Sequence, residues 1–206
     1  MHVLQGCGAG GVGAWTDGGD HGPAGSYGMD ERTPMDNATL YLEGVRPVLR
    51  FERVLPRPPE AVWRSLTDRE ELAGWFPSAI AAGGTEPWAV GTPLTFTFPG
   101  AEGPVPTGEV LESDRPRLLA YTWDGEALRF ELSARPDGGT HLVFSYRATP
   151  GTAALNAAGW QVCLAKLTDG PAQAPAWQPL FDGYVAAFEP LLGPQEGPPA
   201  GVGQER

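Results

Sequence analysis

Side chains that could carry out acid–base or nucleophilic chemistry are few in this sequence, and they lie far apart. Of the three histidines, His2 and His21 lie in a Gly-rich N-terminal stretch, and His141 lies on a predicted strand. Successive strand residues point to opposite faces, so His141 is expected to face solvent rather than the core. Cys163 falls on a helical pattern beside Trp160, which predicts a buried and unreactive thiol. The sequence therefore predicts no catalytic histidine or cysteine.

Carboxylates and ligand-binding motifs give no further catalytic candidate. Glu70 and Glu71 sit at a helix start, where negative charge is favourable in any case. Glu52 and Glu131 lie on the strand faces opposite to the apolar ones, which predicts solvated side chains. The sequence has no G-x-S-x-G elbow, no P-loop, no dinucleotide fingerprint and no zinc-ligand spacing. We therefore expect no catalytic residues, no metal and no cofactor.

Aromatic side chains are the positive signal. They recur on one face of successive predicted strands and meet large apolar residues of a short early helix and of a long late helix. The predicted ligand-binding set is Phe51, Trp75, Phe76, Phe96, Phe98, Tyr121, Trp123, Phe130, Phe144, Tyr146, Trp160 and Leu164. Tyr121, Trp123 and Tyr146 each add a polar group that requires a partner when buried. Such a set is typical of an apolar small-molecule site, and the alternative interpretation is a core that the rings simply fill.

The elements that would position these side chains follow in a simple order. Predicted strands cover 38–44, 46–55, 92–99, 105–113, 117–123, 127–134 and 140–148, and short loops join the later ones. The stretch 58–77, PPEAVWRSLTDREELAGWFP, predicts two short helices that end at Pro77, with Asp68 capping the second. Thr152 is expected to cap a long helix over 152–168, and a last helical turn or two follows around Tyr184. This order predicts an α+β fold in which a curved antiparallel sheet wraps around a long C-terminal helix.

The two ends of the chain differ from this pattern. Residues 1–35 are rich in glycine and 193–206 in glycine and proline, so both are expected to be disordered tails around a domain over 36–192. Translation could start at Met1, Met29 or Met35.

Charge limits the classes of partner. The 206 residues carry a net charge of −11, with a pI near 4.6. This argues against sequence-independent binding to nucleic acids and against docking on an anionic membrane. No apolar run is long enough for a membrane span, and no secretory signal is visible. The two cysteines do not suit a disulfide, so we expect a reducing, cytoplasmic location.

Three stretches together resemble a known superfamily. They are FERVLPRPPEAVWRSLTDREELAGWFP (51–77), TGEVLESDRPRLLAYTW (107–123) and AAGWQVCLAKLTDG (157–170). The pattern, which covers about residues 36–190, resembles the START-like SRPBCC superfamily. Within it, the chain is similar to bacterial proteins resembling the C-terminal domain of heat-shock-protein ATPase activators. The resemblance implies a helix-grip fold with an apolar cavity between the sheet and the long helix.

Three functions remain open on this basis. The leading hypothesis is a non-enzymatic protein that binds a small hydrophobic or amphipathic ligand between the sheet and the long helix. The second is a chaperone-associated interaction protein, which the resemblance implies. The third is an enzyme similar to polyketide cyclases or hydrolases, with Tyr121 or Tyr146 as proton donor.

Overall fold

The protein is described by a computed structural model, which covers residues 37–98, 100 and 103–198. The predicted N-terminal tail over 1–35 lies outside these residues. None of the described helices combines the length and the hydropathy that a membrane span requires.

Strands make up most of the described chain. Their bounds are β1 (Thr39–Glu43), β2 (Arg46–Leu55), β3 (Ala79–Ala82), β4 (Pro93–Thr97), β5 (Thr107–Asp114), β6 (Leu118–Trp123), β7 (Glu126–Ala134) and β8 (Thr140–Arg147). They form one antiparallel sheet in the order β1-β2-β8-β7-β6-β5-β4-β3. Strand β3 was not predicted, because AIAA is short and lacks an alternating pattern.

Two short helices lie between β2 and β3, and two longer helices follow β8. They are α1 (Pro59–Thr67), α2 (Arg69–Leu72), α3 (Ala153–Asp169) and α4 (Trp177–Leu192). Asp68 caps α2 as predicted, since its Oδ1 accepts hydrogen bonds from the backbone N–H of Glu70 (2.9 Å) and Glu71 (3.1 Å). Helix α4 has 16 residues and is much longer than the predicted turn or two.

The curved sheet and α3 confirm the predicted α+β helix-grip architecture. Helix α3 is buried on almost all sides, from Ala153 through Leu167, because the sheet lies on one side of it and α4 packs on another. This matches its composition, since a helix that is apolar all round is typical of a buried position.

The N-terminus of α3 is capped in a way that the sequence did not predict. Thr152 makes no capping bond; its Oγ1 accepts from Asn156 Nδ2 at 3.2 Å. Gln195 takes this role, since its Oε1 accepts from the backbone N–H of Ala154 at 3.0 Å and its Nε2 donates to the carbonyl of Pro150 at 3.0 Å. Gln195, which we predicted to belong to a solvated tail, therefore contacts the start of α3.

Candidate functional site

The interior between the sheet and α3 contains the aromatic set that the sequence singled out. Strands β2, β4, β6, β7 and β8 supply most of the rings, and α3 supplies Trp160 and Leu164. Trp75 and Phe76 come from the irregular segment 73–78 between α2 and β3, and Phe98 directly follows β4. All twelve residues are buried except Phe98, which is half-buried and packs against the same cluster.

Strand register explains why the rings share one face. Phe130 on β7 lies opposite Phe144 on β8, and that residue lies opposite Phe51 on β2. Residues directly opposite each other in neighbouring strands point to the same face of a sheet. The ring centroids of Phe130 and Phe144 are accordingly only 4.7 Å apart.

Side chains occupy the space where the sequence predicted an open cavity. Trp160 contacts Phe144 at 4.8 Å and Tyr146 at 5.6 Å between centroids, and Phe96 stacks on Trp123 at 5.4 Å. Two surface clefts that the structure shows lie elsewhere, one around Arg117, Glu131 and Val143 and one around Trp63, Glu86 and Trp88. In this conformation the aromatic rings thus form a closed cluster.

At the centre of this cluster three rings meet. The centroid of Phe76 lies 5.4 Å from that of Trp123 and 5.6 Å from that of Trp160. The two indoles are 5.8 Å apart and nearly perpendicular, at 78°. Each contact has the tilted or edge-to-face geometry that aromatic pairs prefer.

The two indoles of this group leave their polar atoms unsatisfied. Trp123 and Trp160 are 3% and 0% exposed, and neither Nε1 finds a hydrogen-bond acceptor among the residues that the structure describes. Buried N–H groups are nearly always paired in native proteins, and leaving one unpaired costs about 1–3 kcal/mol. The site therefore presents two hydrogen-bond donors inside an apolar enclosure.

The indole N–H groups of two other buried tryptophans are hydrogen-bonded, as is usual for buried donors. Trp75 Nε1 donates to the carbonyl of Ser65 at 2.8 Å, and Trp88 Nε1 donates to the carbonyl of Thr67 at 2.9 Å. Trp88 was not predicted as a site residue, although its ring contacts that of Tyr121 at 5.8 Å. It lies in an irregular segment with a φ of 69°, and no periodic pattern points to such a residue.

Tyr121, one of the two proposed proton donors, is fully enclosed by rings. Its ring stacks between those of Phe96 and Phe130, at 6.3 Å and 6.0 Å. Burial alone raises the pKa of its phenol far above the usual value. A group that holds its proton so tightly is a poor general acid near neutral pH, so Tyr121 does not suit the role of proton donor.

The other chemical candidates lie away from this cluster. His141 is on the outer face of the sheet, as expected, with its Nε2 2.7 Å from Glu52 Oε2. Glu131 is also on this face and pairs with Arg129. Burial raises the pKa of the Cys163 thiol to about 12, which fits the predicted unreactive cysteine. No group of metal-binding side chains occurs among the described residues.

A buried charge lies on the same sheet face as the aromatic residues. Arg53 is 6% exposed, and its guanidinium lies 5.7 Å from the ring centroid of Phe51. Its Nη1 also donates to the backbone carbonyl of Glu52 at 2.8 Å. The alternation of β2 places Arg53 on the inner face, but the sequence analysis counted only the apolar residues there.

A second buried polar cluster, also unpredicted, ties three segments together. The Tyr184 hydroxyl on α4 donates to Gln161 Oε1 on α3 at 2.5 Å and accepts from the backbone N–H of Ala38 at 2.7 Å. Gln161 Nε2 donates to Asn37 Oδ1 at 3.0 Å. This cluster holds α4 and the start of β1 against the outer side of α3, and so fixes the helix that carries Trp160.

Known structures support the fold. The chain is similar to the conserved protein of unknown function EF2215 from Enterococcus faecalis, with 23% identity, a TM-score of 0.63 and coverage of 75% of this chain and 91% of that one. It is also similar to CalU16 from Micromonospora echinospora, with 19% identity, a TM-score of 0.56 and coverage of 76% and 94%. At these identities the likeness concerns the fold alone. No match was found among curated proteins.

A family model gives the relationship directly. The model described as "Activator of Hsp90 ATPase homolog 1-like protein" matches residues 56–169, from just before α1 to the end of α3. This span contains the segment 73–78, the strands that carry most of the rings, and Trp160. The chain therefore belongs to the family of Activator of Hsp90 ATPase homolog 1-like proteins.

Proposed function

We propose that this protein binds a small hydrophobic or amphipathic molecule between its sheet and α3. The observation that carries the proposal is the pair of buried indole N–H groups of Trp123 and Trp160, which have no acceptor within the described chain. A bound molecule with a hydrogen-bond acceptor would satisfy them and remove the cost of leaving them unpaired. Small-molecule sites typically combine such a few polar groups with an apolar lining.

Binding requires the closed cluster to open. The rings contact one another in the described conformation, so a ligand must displace at least one of them. The protein would then exist in a closed and an open form, and the ligand would shift the population toward the open form. The observed affinity would be reduced by the small fraction of open molecules.

Native mass spectrometry with a panel of aromatic ketones, aromatic esters and long-chain alcohols tests this function. We expect a one-to-one complex with at least one class and a smaller bound fraction for Trp160→Phe, which removes one of the free donors. Trp177→Phe is the matched control, because the Trp177 indole also lacks an acceptor in the described chain but stacks on Phe181 in α4, at 4.9 Å. The proposal fails if the wild-type protein binds no member of the panel.

We also propose a cytoplasmic location. Cys163 is a free, buried thiol in the structure, and free thiols suit a reducing compartment. The acidic net charge of −11 is compatible with a soluble protein of this compartment.

A second candidate function is an interaction with a chaperone ATPase, and one surface favours it. Strand β1 forms an edge of the sheet, and the β1–β2 hairpin exposes Leu42 and Val45, which are 57% and 88% exposed. An edge strand with exposed apolar side chains is a common protein-binding surface. We would measure the ATPase rate of a purified Hsp90-type chaperone with wild-type protein and with the double variant Leu42→Asp, Val45→Asp. A stimulation that this variant loses would support the candidate, and no stimulation by the wild type would contradict it.

A further inference from the structure

We infer that Phe76 occupies the place of the ligand, and that the ligand is an uncharged molecule of one aromatic ring with a hydrogen-bond acceptor, such as an aryl ketone, ester or amide. This inference rests on the proposed function, because it specifies the occupant of the same interior site. It follows from the location of Phe76, from the segment that carries it, and from the charges around it.

Phe76 is the ring that touches both unsatisfied indoles and is not held by a strand or by α3. Its centroid lies 5.4 Å from Trp123 and 5.6 Å from Trp160. Phe96, Phe144 and Tyr146 touch one or the other indole and are carried by sheet strands, whose backbone the ladder holds in place. Phe98, which follows β4 and is half-buried, touches Trp123 at 5.9 Å. Removing the ring of Phe76 would thus open a space that both indoles border.

The segment 73–78 that carries Phe76 has no regular secondary structure, although Trp75 within it is anchored to α1 by its Nε1, which donates to the carbonyl of Ser65 at 2.8 Å. The segment links the single turn of α2 to the four-residue edge strand β3. Within it, Ser78 Oγ is buried and has no partner in the described chain. Its backbone bonds back to the end of α2, where the N–H groups of Trp75 and Phe76 donate to the carbonyl of Leu72 at 3.1 Å and 2.8 Å. A short irregular segment with an unsatisfied buried hydroxyl costs less to move than a central strand.

The size of the ring defines the size of the ligand. A molecule that replaces Phe76 fills a phenyl-sized volume between two indoles and Phe96. The indole N–H is a donor only, so the ligand must carry the acceptor.

The surroundings favour an uncharged acceptor, because the buried cation of the inner face, Arg53, lies over Phe51 and already donates to the carbonyl of Glu52. The buried cations of the described chain are Arg53 and Arg147, of which the first lies over Phe51 and the second pairs with Glu43 at 2.8 Å on the outer face. A carboxylate buried without a cation at hand is strongly unfavourable. Burial also raises the pKa of the Tyr121 phenol, because a negative charge is unfavourable in this apolar cluster.

Three probes of similar size test the inference by calorimetric titration of the wild-type protein. Acetophenone carries an uncharged acceptor, ethylbenzene carries none, and benzoate is an anion at neutral pH. We expect acetophenone to bind about ten-fold more tightly than ethylbenzene, because a ten-fold difference corresponds to about 1.4 kcal/mol, which lies within the range that one net hydrogen bond contributes. We expect benzoate to bind more weakly than ethylbenzene.

Two cavity variants separate the role of Phe76 from a general effect of cavity formation. Phe76→Ala should bind acetophenone and ethylbenzene more tightly than wild type and keep the preference for acetophenone. Phe130→Ala creates a similar cavity beside Tyr121 and Phe144, with neither free indole in ring contact, and should bind both probes equally. Phe76→Leu replaces Phe76→Ala if that variant does not fold.

The outcomes distinguish the inference from the function on which it rests. Equal binding of acetophenone and ethylbenzene to the wild type would overturn the inference and leave the proposed function intact. The same acetophenone preference in both cavity variants would contradict the inference that Phe76 occupies the position of the ligand. Binding of the long-chain alcohols of the mass-spectrometry panel, with no binding of acetophenone or of any aromatic ketone or ester, overturns the inference alone. Failure of every compound overturns both.

Discussion

The indoles of Trp123 and Trp160 meet edge to face, with their centroids 5.8 Å apart, and each keeps a buried N–H without an acceptor in the described chain. One comes from strand β6 and the other from α3, so the contact joins the sheet to the helix that it wraps. A protein that needed only a stable core could use phenylalanine at both positions at no cost in polar groups. The pair is therefore the feature of this core that most strongly suggests a ligand.

The hydrogen bonds of Tyr184 are expected to stabilise the position of α3. Tyr184→Phe would leave Gln161 Oε1 and the backbone N–H of Ala38 without their partner. We expect a loss of about 1–3 kcal/mol in the free energy of unfolding, measured by urea denaturation. Gln178→Ala in the same helix is the control, since it removes only an exposed contact with Asp182, and should change this free energy by less than about 0.5 kcal/mol. Equal effects of the two variants would contradict the role of the buried cluster.

Glu126 should make stability depend on pH. Burial raises the pKa of its carboxyl to about 7, from an ordinary value of 4.5, although Thr149 Oγ1 donates a hydrogen bond to it at 3.2 Å. Between pH 4.5 and 7 the folded protein therefore binds the proton more tightly than the unfolded chain does. The contribution of Glu126 to stability is thus present below this window and is lost as the pH rises through it.

Glu126→Gln tests this dependence, because glutamine keeps the shape without titrating. We expect the variant to be more stable than wild type at pH 8, by about 1–2 kcal/mol once the partial solvent contact of the side chain is allowed for, and to show no such gain at pH 4. Urea unfolding at both values measures the difference. A gain for Glu126→Gln that is equal at both pH values would contradict the titration of this carboxyl.

The C-terminal segment after α4 is expected to stabilise the start of α3. Gln195→Ala removes the acceptor of the Ala154 N–H and the donor to the Pro150 carbonyl. Loss of a helix cap costs about 1 kcal/mol, which we expect as a lower urea midpoint with an unchanged slope. Gln178→Ala, which removes an exposed contact with Asp182, should have little effect. If Gln195→Ala and Gln178→Ala both have the urea midpoint of the wild type, the cap contributes nothing to stability.

Cys163 should react only when the protein opens. Its thiol is buried, and burial raises its pKa to about 12, so little thiolate is present or accessible near neutral pH. In a Cys7→Ser background, we expect slow alkylation of the native protein by iodoacetamide and fast alkylation in denaturant, followed by mass spectrometry. Rapid alkylation of the native protein would contradict the burial of this face of α3.

Local patterns predicted the sheet well. The alternation of Leu128, Phe130 and Leu132 marks β7, and the two turn signals around it mark the hairpins, so the pairing of β6, β7 and β8 and their inner face followed from the sequence. The long helix was visible because Ala153, Ala157, Trp160 and Leu164 recur at helical spacing. These features depend on neighbours within a few residues, which a sequence displays directly.

Features that depend on distant segments were not predictable. The cap from Gln195 joins the end of the chain to the start of α3, and the Tyr184–Gln161–Asn37 contacts join three elements. The same holds for the closed cluster. Sequence places Phe76 and Trp160 on inner faces, but only the packing of the whole domain decides whether their rings meet or leave a space between them.

The most direct measurement is the behaviour of the indole N–H resonances of nitrogen-labelled protein during titration with acetophenone. Trp→Phe variants assign the signals of Trp123, Trp160 and Trp177. A bound carbonyl that accepts from the buried indoles should move the Trp123 and Trp160 signals downfield and slow their hydrogen exchange, while ethylbenzene gives no such shift and Trp177 does not respond to either probe. Unchanged Trp123 and Trp160 signals at saturating acetophenone, or equal shifts with the two probes, would contradict the proposal that these donors bind a ligand.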